Sequence, residues 1–447
     1  METPIIDTLL KQGVQFVRVV WCDNGNVIRG KAIHVGALAG LEDVGVSLSA
    51  AQQAVPVTVD GVAAGSGLGP VGEVWLRPDW STLRTLPYAP GHARVVGDMV
   101  SQGQPWPWCG RQFLRRMVQQ AAEAGYHIQA SFEPEFYLLN GQTLGLIPAD
   151  QTPFAATLAM DIHSEVINAI AAALIDQGLV VEQYYPESGP GQQEISVRYT
   201  DALGAADQQL VYRETVKAVA RQHGWRASFV PKIFAQAAGS GCHLHLSLWQ
   251  TNDQGEAQNL TGDAQGGLSA ATAHFMAGVL HHLPALMALT TPSPNSYRRL
   301  QPQAWSGAYR AWGFDNREAA LRVPSHPTLP SPTHWELKTL DGAANPYLAL
   351  GAVMAAGLDG LRRQLPLPDP VAVDPATLSE DQRQALGIDR LPTSLEAAVQ
   401  ALEQNPVLAQ ALGSELTQTL IAVRRTEIQA LATLTLEEEA ALLLERY

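Results

Sequence analysis

Two histidines and a serine alternate with apolar residues directly after a turn of small residues. Residues 239–247 read GSGCHLHLS, so that His243, His245 and Ser247 lie two positions apart. Because side chains alternate between the faces of a β-strand, these three share one face. Imidazole is a common metal ligand, and glycines let backbone N–H groups approach an anion. The pattern favours a strand that holds a cation beside phosphates, although a half-buried strand with two polar side chains has the same sequence.

Five glutamates could supply oxygen ligands to such a site. Glu133 and Glu135 lie two residues apart among aromatic residues, on one face of a predicted strand. Glu187 and Glu194 flank a glycine-rich turn, and Glu336 lies in a third strand-like segment. Carboxylates on apolar strands are costly unless they are paired or bound to metal. The set favours Mg²⁺ or Mn²⁺, whereas any one glutamate taken singly could form a salt bridge or a solvated edge.

Arginines form the complementary set. Arg299 follows a run of polar residues, and Arg317 and Arg322 are predicted to alternate with apolar residues on a partly buried strand. Guanidinium groups bind phosphate and carboxylate with two parallel hydrogen bonds. The alternative, a surface arginine, applies best to Arg298. Divalent cations and arginines around a phosphate group are typical of phosphoryl transfer from ATP.

The composition excludes some classes of partner. The chain has 447 residues, with 29 Lys and Arg against 43 Asp and Glu, and a net charge of -14. This balance argues against binding to nucleic acid or to an anionic membrane. Three dispersed cysteines and charged residues throughout Met1–Gly13 predict a cytoplasmic protein without a signal peptide. The uncharged run Gly342–Leu358 is interpreted as a core helix, because it is short for a membrane span.

The hydrophobic patterns predict an α+β chain of two domains. A hairpin is expected from strands at 14–20 and 26–33, a loop at 54–72, and a turn at 77–80. Further on, helices are predicted at 111–125, 160–178, 203–223, 268–290 and 345–364, and strands at 126–140, 179–185, 194–199, 226–230 and 242–248. The first hundred residues therefore form a small mixed unit, and the rest forms one large domain.

The order of these motifs resembles the glutamine synthetase family over essentially the whole chain. The matching motifs are Phe16-Val17-Arg18 with Cys22-Asp23, Leu76-Arg77-Pro78-Asp79, Glu133-Pro134-Glu135-Phe136, Pro190-Gly191-Gln192-Gln193-Glu194, Gly239-Ser240-Gly241 with His243 and Ser247, Asn295-Ser296-Tyr297-Arg298-Arg299-Leu300, Asn316-Arg317, and Ala344-Asn345-Pro346-Tyr347-Leu348. The resemblance implies a β-grasp N-terminal domain over residues 1–103. It also implies a catalytic domain over 104–447, whose curved antiparallel sheet forms a funnel, and ring-shaped homo-oligomers, hexamers or dodecamers, with shared active sites.

The same resemblance implies a role for each candidate residue, with ATP and Mg²⁺ or Mn²⁺ taking part. Glu135, Glu187 and Glu194 resemble ligands of the metal near the substrate; Glu133, His243 and Glu336 resemble ligands of the metal that accompanies ATP; His245 and Ser247 would face the nucleotide; Arg317 and Arg322 resemble the phosphate-binding pair; and Arg299, with Gly239 and Lys338, resembles the site of glutamate. The implied reaction begins when ATP phosphorylates the γ-carboxylate of glutamate. An amine then displaces phosphate from the acyl phosphate.

Departures from the family pattern concern the amine. Trp305 stands where glutamine synthetases carry a flap glutamate that helps to deprotonate ammonium, and Gly45–Ala50 lacks the aspartate loop that supports the ammonium site. Lys338 replaces an arginine, which keeps the charge and loses the planar fork. A site without two of its anions should bind ammonium poorly, and an indole offers a larger amine an apolar or cation–π surface. The sequence therefore predicts a ligase that forms γ-glutamyl amides from an organic amine.

Three alternatives stay open from the sequence. Trp305 could be a packing residue on the rearranged flap of a genuine glutamine synthetase that uses ammonia. A nucleotide-binding ring scaffold without ligase activity would fit the altered amine site, although a scaffold has no need of the metal-ligand and phosphate-binding candidates. A guanidino-kinase-like reaction is disfavoured by Arg299, which is typical of a glutamate site.

Overall fold

The computed structural model describes residues 4–142, 145–252, 254–326, 328 and 332–447. The strands are β1 (Phe16–Cys22), β2 (Ile28–His34), β3 (Val46–Ser49), β4 (Glu73–Thr85), β5 (His92–Ser101), β6 (Gln104–Pro105), β7 (His127–Asn140), β8 (Val181–Pro186), β9 (Gln192–Val197), β10 (Thr200–Asp201), β11 (Trp225–Ser228), β12 (Cys242–Thr251), β13 (Ala257–Asn259), β14 (Tyr309–Phe314), β15 (Ala319–Val323), β16 (Trp335–Leu337) and β17 (Asp389–Arg390). The helices are α1 (Pro4–Lys11), α2 (Leu41–Val44), α3 (Gly110–Glu123), α4 (Thr157–Asp176), α5 (Ala202–Gln222), α6 (Ala270–Thr290), α7 (Ser296–Arg299), α8 (Pro346–Arg363), α9 (Glu380–Ala385), α10 (Leu395–Glu403), α11 (Pro406–Leu412), α12 (Ser414–Leu431) and α13 (Leu436–Leu443). Residues 1–3 of the predicted N-terminal domain lie outside the described residues.

The N-terminal part of the chain forms one sheet with the strand order β2-β1-β5-β4-β3, and β6 pairs with β5. The predicted hairpin is confirmed as the antiparallel pair β1–β2. The turn predicted at residues 77–80 is wrong, because this segment lies inside β4 and pairs with β5. Pro78 is tolerated there because it lies close to a register irregularity between Asp79 and Arg84, where the ladder is interrupted. The domain boundary after residue 103 stays a prediction.

A larger sheet follows, with the strand order β17-β14-β15-β16-β12-β7-β9-β8. Its pairs are antiparallel except for β14 with β15, which run parallel. Together with the sheet of the N-terminal part, this mixed architecture confirms the predicted α+β class. One detail of the prediction is wrong: Arg322 lies on β15, but Arg317 lies in the turn before that strand and is exposed.

Helices α6 and α8 pack against each other beneath the large sheet. Their backbones are in close contact, because a Cβ atom on Gly278 would lie 2.2 Å from the carbonyl oxygen of Ala356. Asn345 caps α8 by accepting hydrogen bonds from two backbone N–H groups, and Pro346 occupies the first helical position. The run Gly342–Leu358 is largely buried, as predicted for a core helix. Among the described residues, α4 is long and apolar enough to cross a membrane, and it packs against α5.

An ion-pair network joins the N-terminal sheet to the helices of the large domain. The guanidinium of Arg111, on α3, is buried and contacts Asp79 at 2.8 Å, Asp98 at 2.9 Å and Asp207 at 2.7 Å. The hydroxyl of Tyr347 also donates to Asp207 at 2.6 Å. Arg115 also contacts Asp79 at 2.6 Å and Asp98 at 3.1 Å. Removal of Arg111 therefore leaves those two carboxylates with one cation and leaves the Asp207 carboxylate with the Tyr347 hydroxyl, in a partly buried network where an unpaired charge is costly.

Replacement of Arg111 by alanine is expected to destabilise the fold by about 3–5 kcal/mol, the usual cost of breaking a buried ion pair. The matched control is Arg221→Ala, which removes an arginine 75% exposed from a surface pair with Glu445 and should cost at most about 0.5 kcal/mol. Differential scanning calorimetry of both variants provides the measurement. Equal melting temperatures for Arg111→Ala and the wild type would contradict the structural role of this network.

Candidate active site

Neighbouring strands of the large sheet carry most of the predicted site residues. Glu133 and Glu135 lie on β7, and the adjacent strand β12 places His243 directly opposite Glu133. On the other side of β12, strand β16 places Glu336 opposite His245. Directly opposite residues of paired strands share a face, so these imidazoles and carboxylates point to one side of the sheet. The apolar residues that alternate with the histidines are buried, as predicted.

The first group of potential metal ligands consists of Glu135, Glu187 and Glu194, whose carboxylate oxygens lie within 4.8 Å of one another. Glu135 and Glu194 are directly opposite on β7 and β9. Like charges in that position are destabilising. The amide of Gln192 donates to Glu135 at 3.1 Å and the backbone N–H of Gly241 donates at 3.0 Å, which compensates part of the charge. The rest is the kind of charge that a divalent cation neutralises.

The second group consists of Glu133, His245 and Glu336, again with ligand atoms within 4.8 Å. His243 lies between the two groups: its Nδ1 is 3.1 Å from Glu336 and 3.8 Å from Glu133, and its Nε2 is 3.9 Å from Glu135. The Nε2 of His245 lies 3.1 Å from Glu133. The structure therefore brings both imidazoles to the second group, whereas the resemblance implied a metal role for His243 and a nucleotide role for His245.

The pKa values of the carboxylates differ between the two groups. Burial, followed by repulsion from neighbouring carboxylates, raises the pKa of Glu194 to about 11, and the same causes raise the pKa of Glu187. Burial also acts on Glu133, but the two histidines outweigh it and hold the pKa well below its ordinary value. Lys338 and the histidines similarly lower the pKa of Glu336 against the effect of burial. Repulsion between carboxylates thus dominates in the first group, whose oxygen donors fit Mg²⁺ or Mn²⁺.

Three basic residues adjoin the second group and the glycine turn. The Nε atom of Arg322 donates to Glu336, and the Nζ atom of Lys338 donates to the same carboxylate at 3.3 Å. Arg299 donates through Nη2 to the backbone carbonyl of Lys338, and its buried Nη1 has no hydrogen-bond partner among the described residues. A Cβ atom on Gly239 would lie 2.5 Å from Cγ of Arg299, so only glycine lets this side chain pass.

Two cavities share Glu133 as a lining residue. The first, of about 480 Å³, is lined by all of the predicted site residues except His245 and Ser247. We call it the catalytic cavity. The second, of about 590 Å³, is lined by His245 and Ser247 together with aromatic side chains that include Trp249 and His334. Apolar walls with a few polar groups are typical of small-molecule sites, and the second cavity has room for a nucleotide.

Trp305 lies on the flap, which we define as residues 303–307, at the edge of the catalytic cavity. Its side chain is large and apolar, yet the residue is 55% exposed. The guanidinium carbon of Arg317 lies 5.9 Å from the centre of the indole ring, within the range of a cation–π contact. Trp305 is therefore a surface of the cavity and is not buried in the core.

Phe154 and Tyr185 line the same cavity, and the sequence analysis missed both. Their rings meet edge to face with centroids 6.1 Å apart, and the Tyr185 hydroxyl acts on the Glu187 carboxyl, opposing the rise of its pKa that burial causes. Phe154 is 47% exposed. It lies in a loop without hydrophobic periodicity, so no pattern indicated its position. Tyr185 lies on β8, and aromatic residues are common in strands, so its type did not indicate a place in the site.

Gln192 lies in one of the matching sequence motifs and links the first metal group to the glycine turn. Besides Glu135, its amide nitrogen lies 3.1 Å from both the carbonyl oxygen of Gly239 and the hydroxyl of Ser240. Its amide oxygen accepts from the backbone N–H of Gly189 at 2.8 Å. Groups that orient metal ligands in this way affect metal affinity although they do not touch the metal.

Comparison with known proteins identifies the family. Residues 3–106 match the model of the glutamine synthetase N-terminal domain, and residues 107–442 match the model of the glutamine synthetase catalytic domain. The chain belongs to the glutamine synthetase family. The resemblance stated from the sequence motifs is thereby confirmed, and the protein is a ligase of this family, whose members use ATP and a divalent metal.

Its relatives include a gamma-glutamylpolyamine synthetase and proteins named glutamine synthetase. The chain is 39% identical to the gamma-glutamylpolyamine synthetase GlnA3 of Streptomyces coelicolor over 95% of this chain and 92% of that protein. It is 34% identical to the type-1 glutamine synthetase 1 of Dictyostelium discoideum over 97% and 90% of the two chains. Among solved structures, a GmaS/ADP complex matches with a TM-score of 0.85 and 30% identity over 99% of this chain and 100% of that one.

Proposed function

We propose that this protein is an ATP-dependent γ-glutamyl–amine ligase that uses an organic amine in preference to ammonia. The observation that carries the proposal is the exposed indole of Trp305 on the flap of the catalytic cavity. A carboxylate at this place would favour a small cation, whereas an indole favours an amine with an alkyl or cationic chain. The 39% identity to a gamma-glutamylpolyamine synthetase agrees with this reading.

A second aromatic surface supports the same substrate class. Phe154 and Tyr185 line the cavity that Trp305 also lines, so an amine that enters it meets three rings. The amine nitrogen would be held by the Glu187 carboxylate, which lines the same cavity as the Tyr185 ring. Rings of this kind bury the carbon chain of an organic amine, a gain that ammonia does not have.

The other residues are assigned to the two steps of the reaction. Arg299, with an unused buried donor beside Gly239, would bind the α-carboxylate of glutamate. Arg317 and Arg322, with Lys338 nearby, would offset the negative charge that develops as the γ-carboxylate attacks the terminal phosphate of ATP. His245 and Ser247 would face the nucleotide in the second cavity.

The two acidic groups are proposed to hold divalent cations. Glu135, Glu187 and Glu194 would bind one beside the substrate, and Glu133 and Glu336, with His243, would bind another beside the phosphates. When bound, such cations polarise phosphoryl oxygens and neutralise the transferred charge. We also propose ring-shaped homo-oligomers, as in the family, in the cytoplasm.

A genuine glutamine synthetase is the second candidate, since relatives of that name share 33% and 34% identity with almost the whole chain. The deciding experiment measures phosphate release with ATP, glutamate and Mg²⁺ across ammonia, alkylamines, ethanolamine, polyamines and aniline. We expect kcat/KM for at least one organic amine to exceed that for ammonia by about tenfold or more, equivalent to about 1.4 kcal/mol of transition-state binding.

The outcomes separate the candidate functions. Ammonia as the best substrate would make the protein a glutamine synthetase with an altered flap. No phosphate release with any amine, in protein that binds ATP, would favour the nucleotide-binding scaffold. Omission of glutamate is the matched control, because phosphate release that persists without it would not report amide formation.

A further inference from the structure

The flap has an unusual backbone that faces a buried carboxylate. Gln303 and Trp305 have φ angles of 60° and 52°, in the left-handed region that residues other than glycine rarely adopt. Backbone conformations of this kind turn successive N–H groups toward one point and form anion-binding concavities. Such conformations persist only where the surroundings hold them.

Glu318 supplies the anion. Its Oε1 accepts a hydrogen bond from the backbone N–H of Trp305 at 2.8 Å. Burial raises the pKa of this carboxyl, and the backbone N–H groups of Trp305 and Gln303 oppose that rise. Glu318 is 8% exposed, and its Oε2 has no hydrogen-bond partner in the part of the chain that the structure describes. A carboxylate buried to this extent is costly, so its contacts with the flap are the compensation that the fold provides.

The base of this arrangement is anchored independently of the flap. The backbone N–H of Glu318 donates to the side chain of Asn316 at 3.0 Å, and the Asn316 amide donates to the carbonyl of Val371 at 2.8 Å. Arg317, whose guanidinium lies over the indole of Trp305, is the residue between Asn316 and Glu318. One turn therefore contacts both the backbone and the side chain of Trp305.

We propose that Glu318 is a positioning residue that holds the flap through its backbone N–H groups and thereby fixes the indole of Trp305 at the amine side of the catalytic cavity. The proposal rests on the proposed function for the role of the indole, but the contact between Glu318 and the flap does not depend on it. Because Arg317 belongs to the same turn, this turn carries both a residue proposed to bind phosphate and the residue that holds the flap.

The first test follows the flap without any substrate. Chymotrypsin cleaves after exposed aromatic residues, and cleavage after Trp305 is measured by mass spectrometry in wild type, Glu318→Ala and Glu318→Gln. We expect about tenfold faster cleavage in Glu318→Ala and a smaller increase in Glu318→Gln, whose amide oxygen still accepts a hydrogen bond. The control is Glu380→Ala, which removes a carboxylate 89% exposed on α9 and should leave the rate unchanged.

The second test is a double-mutant cycle in which kcat/KM is measured for the best organic amine. Glu318→Ala should lower this value about tenfold in the wild type, with the KM for ATP within twofold, and less than twofold in a Trp305→Ala background. A merely structural role would cost the same in both backgrounds. If Glu318→Ala does not fold, Glu318→Gln takes its place in the cycle with a smaller expected loss.

Unchanged cleavage after Trp305, or equal losses in both backgrounds, would overturn the proposal. Faster cleavage together with ammonia as the best substrate would keep Glu318 as the residue that holds the flap and reject the organic amine. The cleavage rate therefore tests the role of Glu318, and the amine panel tests the proposed function, so that either can be rejected without the other.

Discussion

Replacement of Glu194 by glutamine is expected to lower turnover by at least about a thousandfold, or about 4 kcal/mol, because one carboxylate ligand of the proposed substrate-side metal is lost. The same change should raise the melting temperature of the metal-free protein. Glu194 lies opposite Glu135 with Glu187 beside it, and burial with carboxylate repulsion raises its pKa to about 11. With its pKa raised in this way, the Glu194 carboxyl must take up a proton when the protein folds at neutral pH, which costs stability; a neutral amide of the same shape avoids that cost.

The measurement combines steady-state phosphate release with melting curves recorded with and without Mg²⁺ or Mn²⁺. In the wild type, binding of the cation to the folded state should raise the melting temperature, and in Glu194→Gln most of this increase should vanish. Glu165→Gln is the control, since it neutralises a carboxylate 89% exposed on α4. A variant with normal turnover, or with an undiminished shift on addition of metal, would contradict the assignment of Glu194 as a ligand.

The sequence could predict the metal groups because strand periodicity is a local property. Once Glu133 and Glu135 are two residues apart on a strand, both must point to one face, and the same holds for His243 and His245. The register between the strands is not local. It is set by pairing over long separations, and it places His245 opposite Glu336, which is why the second metal group contains His245, while His243 lies between the two groups.

Predictions from turn-forming residues were weaker. Residues 77–80 contain proline and aspartate and were assigned to a turn, yet they belong to β4, because packing in the sheet outweighs the preference of a short polar segment. Arg317 was placed on a strand that begins only at Ala319. This error of two residues matters, because in the turn the guanidinium reaches the indole of Trp305.

The residues that shape the amine side of the cavity were the least predictable. Phe154 comes from a loop before α4 and Tyr185 from β8, and only the folded chain brings their rings together. Glu318 follows a recognised motif, but its role depends on the left-handed backbone of the flap, which nothing in the residues at 303 and 305 indicates. Gln303 and Trp305 are not glycine or asparagine, the residues that usually indicate such a conformation.

Substitution of Trp305 by glutamate is expected to shift the choice of amine toward ammonia. The ratio of kcat/KM for ammonia to that for the best organic amine should rise by about tenfold or more, because a carboxylate favours a small cation and the apolar surface is lost. Trp305 is 55% exposed, so the change removes no core packing. The φ angle of 52° is no less accessible to glutamate than to tryptophan, since neither is β-branched.

Trp305→Gln separates the two causes. It removes the indole without adding a charge, so it should lower kcat/KM for the organic amine and leave kcat/KM for ammonia unchanged. Trp305→Glu should in addition raise kcat/KM for ammonia. The guanidinium of Arg317 lies close enough to attract the new carboxylate, which limits the gain in kcat/KM for ammonia. Because Arg317 is itself proposed to bind phosphate, its removal would lower turnover for every amine, so the comparison is made with Arg317 in place. Trp75→Glu, at an exposed tryptophan on β4, controls for added surface charge. Identical amine ratios in Trp305→Glu and the wild type would mean that the aromatic pair of Phe154 and Tyr185, and not the flap, selects the amine.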